Sequence, residues 1–107
     1  MITLKQTKVF SRWMASLKDD RAVATISARL YRLEAGLAGD AKSVGGGVIE
    51  LRIHYGPGYR VYLHRRGHVL IILLCGGDKS TQARDIRKAI EMVQNEEFDD
   101  ETEADDV

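Results

Sequence analysis

The chain has 107 residues, enough for one domain that hides roughly 60 to 70% of its unfolded surface, so no second domain is expected. Its sixteen Lys and Arg balance sixteen Asp and Glu, but eight of those acids lie in the last twelve residues, "EEFDDETEADDV", so the preceding body is strongly basic and suits a polyanionic partner. A lone Cys75 excludes an intramolecular disulfide, no apolar run nears the ~20 residues of a membrane helix, and "MITLKQTKVF" lacks a secretion signal's apolar core, so a cytoplasmic protein is expected.

Thr3 to Lys8 reads as a short opening strand, with Thr7 placed to cap the next segment. There Val9, Phe10, Trp13, Met14 and Leu17 make one apolar stripe at helical spacing. Asp19 and Asp20 suit the start of a second helix, in which Val23, Ile26, Leu30, Leu33 and Leu37 recur at three and four. Arg21, Arg29, Arg32 and Glu34 fall outside that stripe, and the helix is expected to stop near Gly39. The two helices should form a hairpin with both stripes on one surface.

A loop containing "VGGG" leads into "VIELRIHY", where Ile49, Leu51, Ile53 and Tyr55 alternate with Val48, Glu50, Arg52 and His54, the pattern of a half-buried strand. The next strand, "YRVYLHR", follows "GPG". A three-residue loop of Gly56, Pro57 and Gly58 sets apolar residues opposite apolar ones, pairing Tyr55 with Tyr59, Ile53 with Val61 and Leu51 with Leu63. The same register pairs His54 with Arg60, Arg52 with Tyr62 and Glu50 with His64. "HVLIILLC" is apolar throughout, as in a central strand covered on both faces. Gly76 and Gly77 allow a sharp exit, Ser80 or Thr81 can cap a last helix, and Ala83, Ile86, Ala89, Ile90 and Val93 should face inward, with Arg84, Arg87 and Lys88 outward. From Glu96 onward nothing can bury a core, and a disordered tail is expected.

With the hairpin on one sheet face, the other presents Arg52, His54, Arg60, Tyr62 and His64, with Glu50 at its edge and Lys79 within reach. A solvated face of cross-strand polar pairs is one reading. The other is RNA cleavage, which needs a base for the 2′-hydroxyl, cations for a phosphorane-like transition state, and an acid or cation for the leaving 5′-oxygen. His54 is then the base and Arg60 the principal charge stabiliser. His64 serves as acid, or pairs with Glu50. Tyr62 stacks on or orients a nucleobase, and Arg65, Arg66 and Arg84 extend the RNA contacts. No metal or cofactor is expected, because His54 and His64 lack partners at ligand spacing and Arg60 would repel a cation.

The helix hairpin, then "ELRIHYGPGYRVY", then a strand ending "LLCGGDKSTQARDIRKA", resembles the RelE/ParE superfamily of type II toxins, most nearly the HigB-like branch often labelled addiction module killer protein. The likeness covers roughly residues 3 to 95. It implies an α+β fold, with the helix hairpin on a mainly antiparallel sheet of about four strands and a C-terminal helix after it. It also implies a bacterial toxin that cuts messenger RNA in the ribosomal decoding site and is neutralised by an antitoxin, typically a helix-turn-helix protein. Arg60, Arg52 and Lys79 fall on family positions that act as phosphate ligands and transition-state stabilisers. The RelE-like tyrosine near the C-terminus has no counterpart. ParE-like members inhibit DNA gyrase instead, so a gyrase inhibitor and an inactive relic that only binds its antitoxin are the alternatives. The tail raises a separate possibility, that its acids fold across the basic body and compete with RNA; a solvated tail is the plain alternative.

Overall fold

A short side-chain oxygen just ahead of a helix satisfies its first free N–H groups, and two such residues start the N-terminal helix pair. In the computed structural model, which describes residues 1–98, Thr7 Oγ1 accepts from Phe10 N at 3.1 Å at the head of α1 (Lys8–Ser16). Asp19 Oδ1 accepts from Arg21 N and Ala22 N at the head of α2 (Asp20–Glu34). Around them run β1 (Thr3–Gln6), β2 (Ala41–Gly45), β3 (Val48–Ile53), β4 (Tyr59–Arg66), β5 (Leu70–Gly77), a 3-10 turn (Lys79–Thr81) and α3 (Gln82–Gln94).

The strands form one sheet in the order β1-β5-β4-β3-β2, antiparallel throughout except that β1 runs parallel to β5. The class is α+β, as expected, but the sheet has five strands and is mixed. The added strand is β2, which lies where a loop was expected; Gly45, Gly46 and Gly47, all at positive φ, turn it back onto β3. Among the described residues no helix is long and apolar enough to cross a membrane.

The sheet is packed on both faces. On one, Phe10, Ile26 and Leu33 of the helix pair meet Leu51, Ile53, Val61, Leu63, Ile71 and Leu73, as the two stripes imply. On the other, Ala89 and Met92 of α3 cover Val48, Tyr62, Ile72, Leu74 and Cys75. The middle of the polar face of β3 and β4, at Glu50 and Tyr62, is therefore roofed by α3 and is not solvated. A bulge in β5 serves both layers: Tyr62 pairs with Cys75 but Leu63 pairs with Leu73, so Leu74 is the extra residue. Leu74 and Cys75 both join the α3 side, and the Leu74 carbonyl, freed from the ladder, accepts the Thr7 hydroxyl at 2.7 Å.

Several expectations need correction. The second helix ends at Glu34, and Leu37, 62% exposed, lies beyond it. Arg29 is not on the outer face: its guanidinium is buried and donates to the carbonyls of Arg52, Ala38 and Asp40, pinning the α2–β2 connection to β3. Burial pushes its pKa down. Thr81 stands at the N-cap of α3 as expected, but without a side-chain cap bond; Asp78 caps the 3-10 turn before it, through Ser80 N. On α3 the buried residues are Asp85, Ala89 and Met92, while Ala83 is exposed. Glu96, Glu97 and Phe98 are placed, with Phe98 partly buried; the rest of the expected disordered tail, and the contact proposed for it, lie outside the described residues.

Cys75 is buried as expected, and burial, then the charge of Asp85, pushes its thiol up to about 12. The native protein at pH 8 should therefore resist a chromogenic disulfide reagent over a period in which the urea-unfolded chain reacts fully. Prompt reaction of the native thiol would contradict its packing.

Candidate functional site

Loop geometry decides which polar side chains meet. The β3–β4 connection contains five residues, His54 to Gly58, rather than three. Gly56 and Gly58 take positive φ, and Gly58 N closes a turn on the Tyr55 carbonyl, drawing His54 and Tyr55 out of the ladder. The register shifts by two residues: Ile53 pairs with Tyr59, Arg52 with Arg60, Leu51 with Val61, Glu50 with Tyr62, and Ile49 with Leu63. A shift of two preserves which face each side chain uses, so the division into apolar and polar faces stands. The expected pairs His54–Arg60, Arg52–Tyr62 and Glu50–His64 do not form.

The centre of the polar face is Glu50, fully buried rather than at an edge. Its Oε1 accepts from Arg52 Nε at 3.1 Å, and its Oε2 accepts from Tyr62 OH at 3.1 Å and from Gln82 Nε2 at 2.9 Å. Arg60 Nε lies 3.5 Å from Oε2, close enough for charge attraction but without a hydrogen bond. Burial opposes the charged carboxylate, but the bonds from Gln82, Arg52 and Tyr62 and the charge of Arg60 outweigh it, holding Glu50 below its ordinary pKa. Burial, then the charge of Glu50, drives the Tyr62 phenol well above its ordinary value.

The two arginines form the rim, with side chains 33% exposed at Arg52 and 12% at Arg60. Arg60 Nη1 donates to the Gly58 carbonyl at 2.7 Å. Lys79 is exposed and reaches the same corner: its backbone N–H meets the Pro57 carbonyl at 3.4 Å, and a Cβ added at Gly58 would lie 3.1 Å from Arg60 Nη1 and 3.4 Å from Lys79 Cβ. Arg52, Arg60 and Lys79 are thus brought to one end of the sheet, as the sequence suggests. Asp40 and Asp78 flank them, each held below its ordinary pKa. For Asp40 the chief cause is the bond from His54, and for Asp78 the bond from Ser80.

The other expected site residues divide. His54 is exposed and its Nε2 meets Asp40 Oδ2 at 2.6 Å, so the ring is held by Asp40 outside the ladder rather than opposite Arg60. Tyr62 is fully buried and cannot stack on a nucleobase. His64, Arg65 and Arg66 lie toward the far end of β4, where Arg66 is six residues and about 20 Å from Arg60. There His64 Nδ1 meets the Gly47 carbonyl and its ring stacks on Phe98, while Arg66 pairs with Glu96 and lies over the Phe98 ring. Arg84 is exposed on the first turn of α3 and close to Asp85. Sequence reading missed Gln82 as a Glu50 ligand; its place as the first residue of the last helix was the available signal. Among the described residues no cluster of His, Cys, Asp or Glu is placed to hold a metal ion.

No protein-family model matches the chain, and no solved structure matches it. Among curated proteins, an uncharacterized protein of Haemophilus influenzae (strain Rd) is 56% identical over 88 residues, covering 82% of this chain and 89% of the relative. Identity at that level over nearly the whole of the relative places the two in one family, and the chain belongs to the family of that Haemophilus influenzae protein.

Proposed function

We propose that the protein is a RelE/ParE-like toxin of a type II toxin–antitoxin module and a metal-independent endoribonuclease that cuts messenger RNA on the ribosome. The observation that carries this reading is the direct pairing of Arg52 with Arg60 across β3 and β4. Like charges opposite one another weaken a sheet, and a packing role would be served by almost any other pair. Beside a phosphodiester the same pair is useful, because attack of the 2′-oxygen builds negative charge on the phosphoryl oxygens that two fixed guanidinium groups and a neighbouring lysine can stabilise. His54 is the candidate base. With Asp40 holding Nε2 as a donor, a neutral ring has Nδ1 as its acceptor. Cytoplasmic location and a helix-turn-helix antitoxin go with this reading.

Burial of Tyr62 and the distance of His64 remove two members of the expected chemical set, and this favours a second reading in which the basic corner binds without cutting, as in a gyrase inhibitor. The test is to add purified protein to an in vitro translation reaction, and separately to the same messenger RNA without ribosomes, and to map 5′ ends. New ends that require ribosomes support the nuclease. Intact RNA in both, with loss of gyrase supercoiling, supports the second reading.

A further inference from the structure

Glu50 takes no chemical part in the proposed reaction, yet side chains from β3, β4 and α3 all end on it, and every one is a donor. A carboxylate can accept all of them at once, whereas an amide in its place would turn an NH2 group toward other N–H and O–H groups. The arrangement also answers a problem set by the register. Arg52 and Arg60 face each other, and without an anion between them they would repel and swing apart into solvent. Glu50 stands beneath both, contacting Arg52 through Oε1 and Arg60 through Oε2. Both contacts use Nε, which leaves the terminal amino nitrogens outside the carboxylate's hold. Gln82 begins α3, so its side chain ties the carboxylate to the first turn of that helix.

We propose that Glu50 is the positioning residue of this site, holding Arg52 and Arg60 side by side so that one phosphodiester engages both. The inference rests on the RNA-phosphate reading above. Charge and positioning make opposite predictions for one substitution. Glu50→Gln removes a negative charge from beneath two cations, so on charge alone it should tighten anion binding. If Glu50 acts by positioning, binding should weaken.

The experiment is a nuclear magnetic resonance titration of the full-length protein with a 2′-O-methyl trinucleotide, which cannot be cleaved, following the 15Nε signals of Arg52 and Arg60. In the wild type both signals are expected to shift together with one binding curve. Glu50→Gln is expected to bind about tenfold more weakly, with the Arg52 and Arg60 signals collapsed toward those of exposed arginines. Tyr62→Phe, which keeps every charge and nearly the same volume, is expected to bind about threefold more weakly, the effect of one lost hydrogen bond to the carboxylate. Glu50→Gln binding as tightly as the wild type or tighter overturns the inference. Should that variant fail to fold, Tyr62→Phe decides: weaker binding supports the positioning role and unchanged binding overturns it. A wild type in which neither arginine signal responds to the trinucleotide overturns the RNA-phosphate reading itself, and the inference with it.

Discussion

Arg60→Ala is expected to reduce the proposed ribosome-dependent cleavage by about 10²- to 10³-fold while leaving the protein folded, the loss typical of removing one fixed donor from a site that stabilises developing charge. Arg60 is the better anchored of the rim arginines, bonded to the Gly58 carbonyl and only 12% exposed, so it needs little reorganisation to meet a phosphate. Removing it leaves Glu50 still bonded by Arg52, Tyr62 and Gln82, so the buried carboxylate is not orphaned and the melting temperature should change little. The effect should appear mainly in the rate at saturating ribosomes, because the interaction strengthens as charge develops on the phosphoryl oxygens. Unchanged cleavage by a folded Arg60→Ala protein would remove the centre of the proposed site. His64→Asn, at the other end of β4, is the matched control and should cut normally.

Gly76→Ala should be strongly destabilising, costing about 3 kcal/mol, the upper part of the usual range for overpacking a core. A Cβ at this position would run into Trp13 Cε3, Cδ2 and Cζ3, so the obstacle is the body of an indole and not the tip of a flexible chain. The ring is hemmed on two sides, its centroid 5.7 Å from that of Phe10 and 6.2 Å from that of Tyr59. Gly76 is not among the glycines at positive φ, so the cost is steric rather than conformational. For a domain of this size the loss corresponds to a melting temperature lower by about 12 to 24 °C. Fluorescence of Trp13, the single tryptophan, reports it directly. Trp13→Ala should cost less in the Gly76→Ala background than alone, the sign of a shared clash.

Much of this architecture is legible from local rules. Thr7 and Asp19 cap helices because each is a short side chain with an oxygen placed just ahead of an apolar stripe, and Phe10, Ile26 and Leu33 reach the core because helical spacing places them on one side. The two faces of β3 and β4 are also legible, since alternation survives a register error of two. The register itself was not. "GPG" is a plausible complete loop, and only the positive φ at both glycines and the turn from Tyr55 to Gly58 show that two more residues belong to it. Arg29 stands three residues after Ile26 and four before Leu33, so its inward position was present in the spacing but hidden by its charge. Its backbone carbonyl partners, which make burial tolerable, are 9 to 23 residues away in sequence. Glu50 was misplaced for a related reason: alternation gives its face, but burial depends on where α3 lies, and α3 carries its own buried acid, Asp85, which blurs its apolar stripe.

The parallel pairing of β1 with β5 joins Thr3 to Leu70 and Gln6 to Leu73. The first strand made by a ribosome therefore has no neighbour until the last strand has emerged, and Glu50 has no Gln82 until the following helix does. Order of synthesis and order of assembly are opposed at both ends of the chain. A nascent chain that has made β3 and β4 but not α3 therefore carries Arg52 and Arg60 beside a carboxylate still lacking its Gln82 bond.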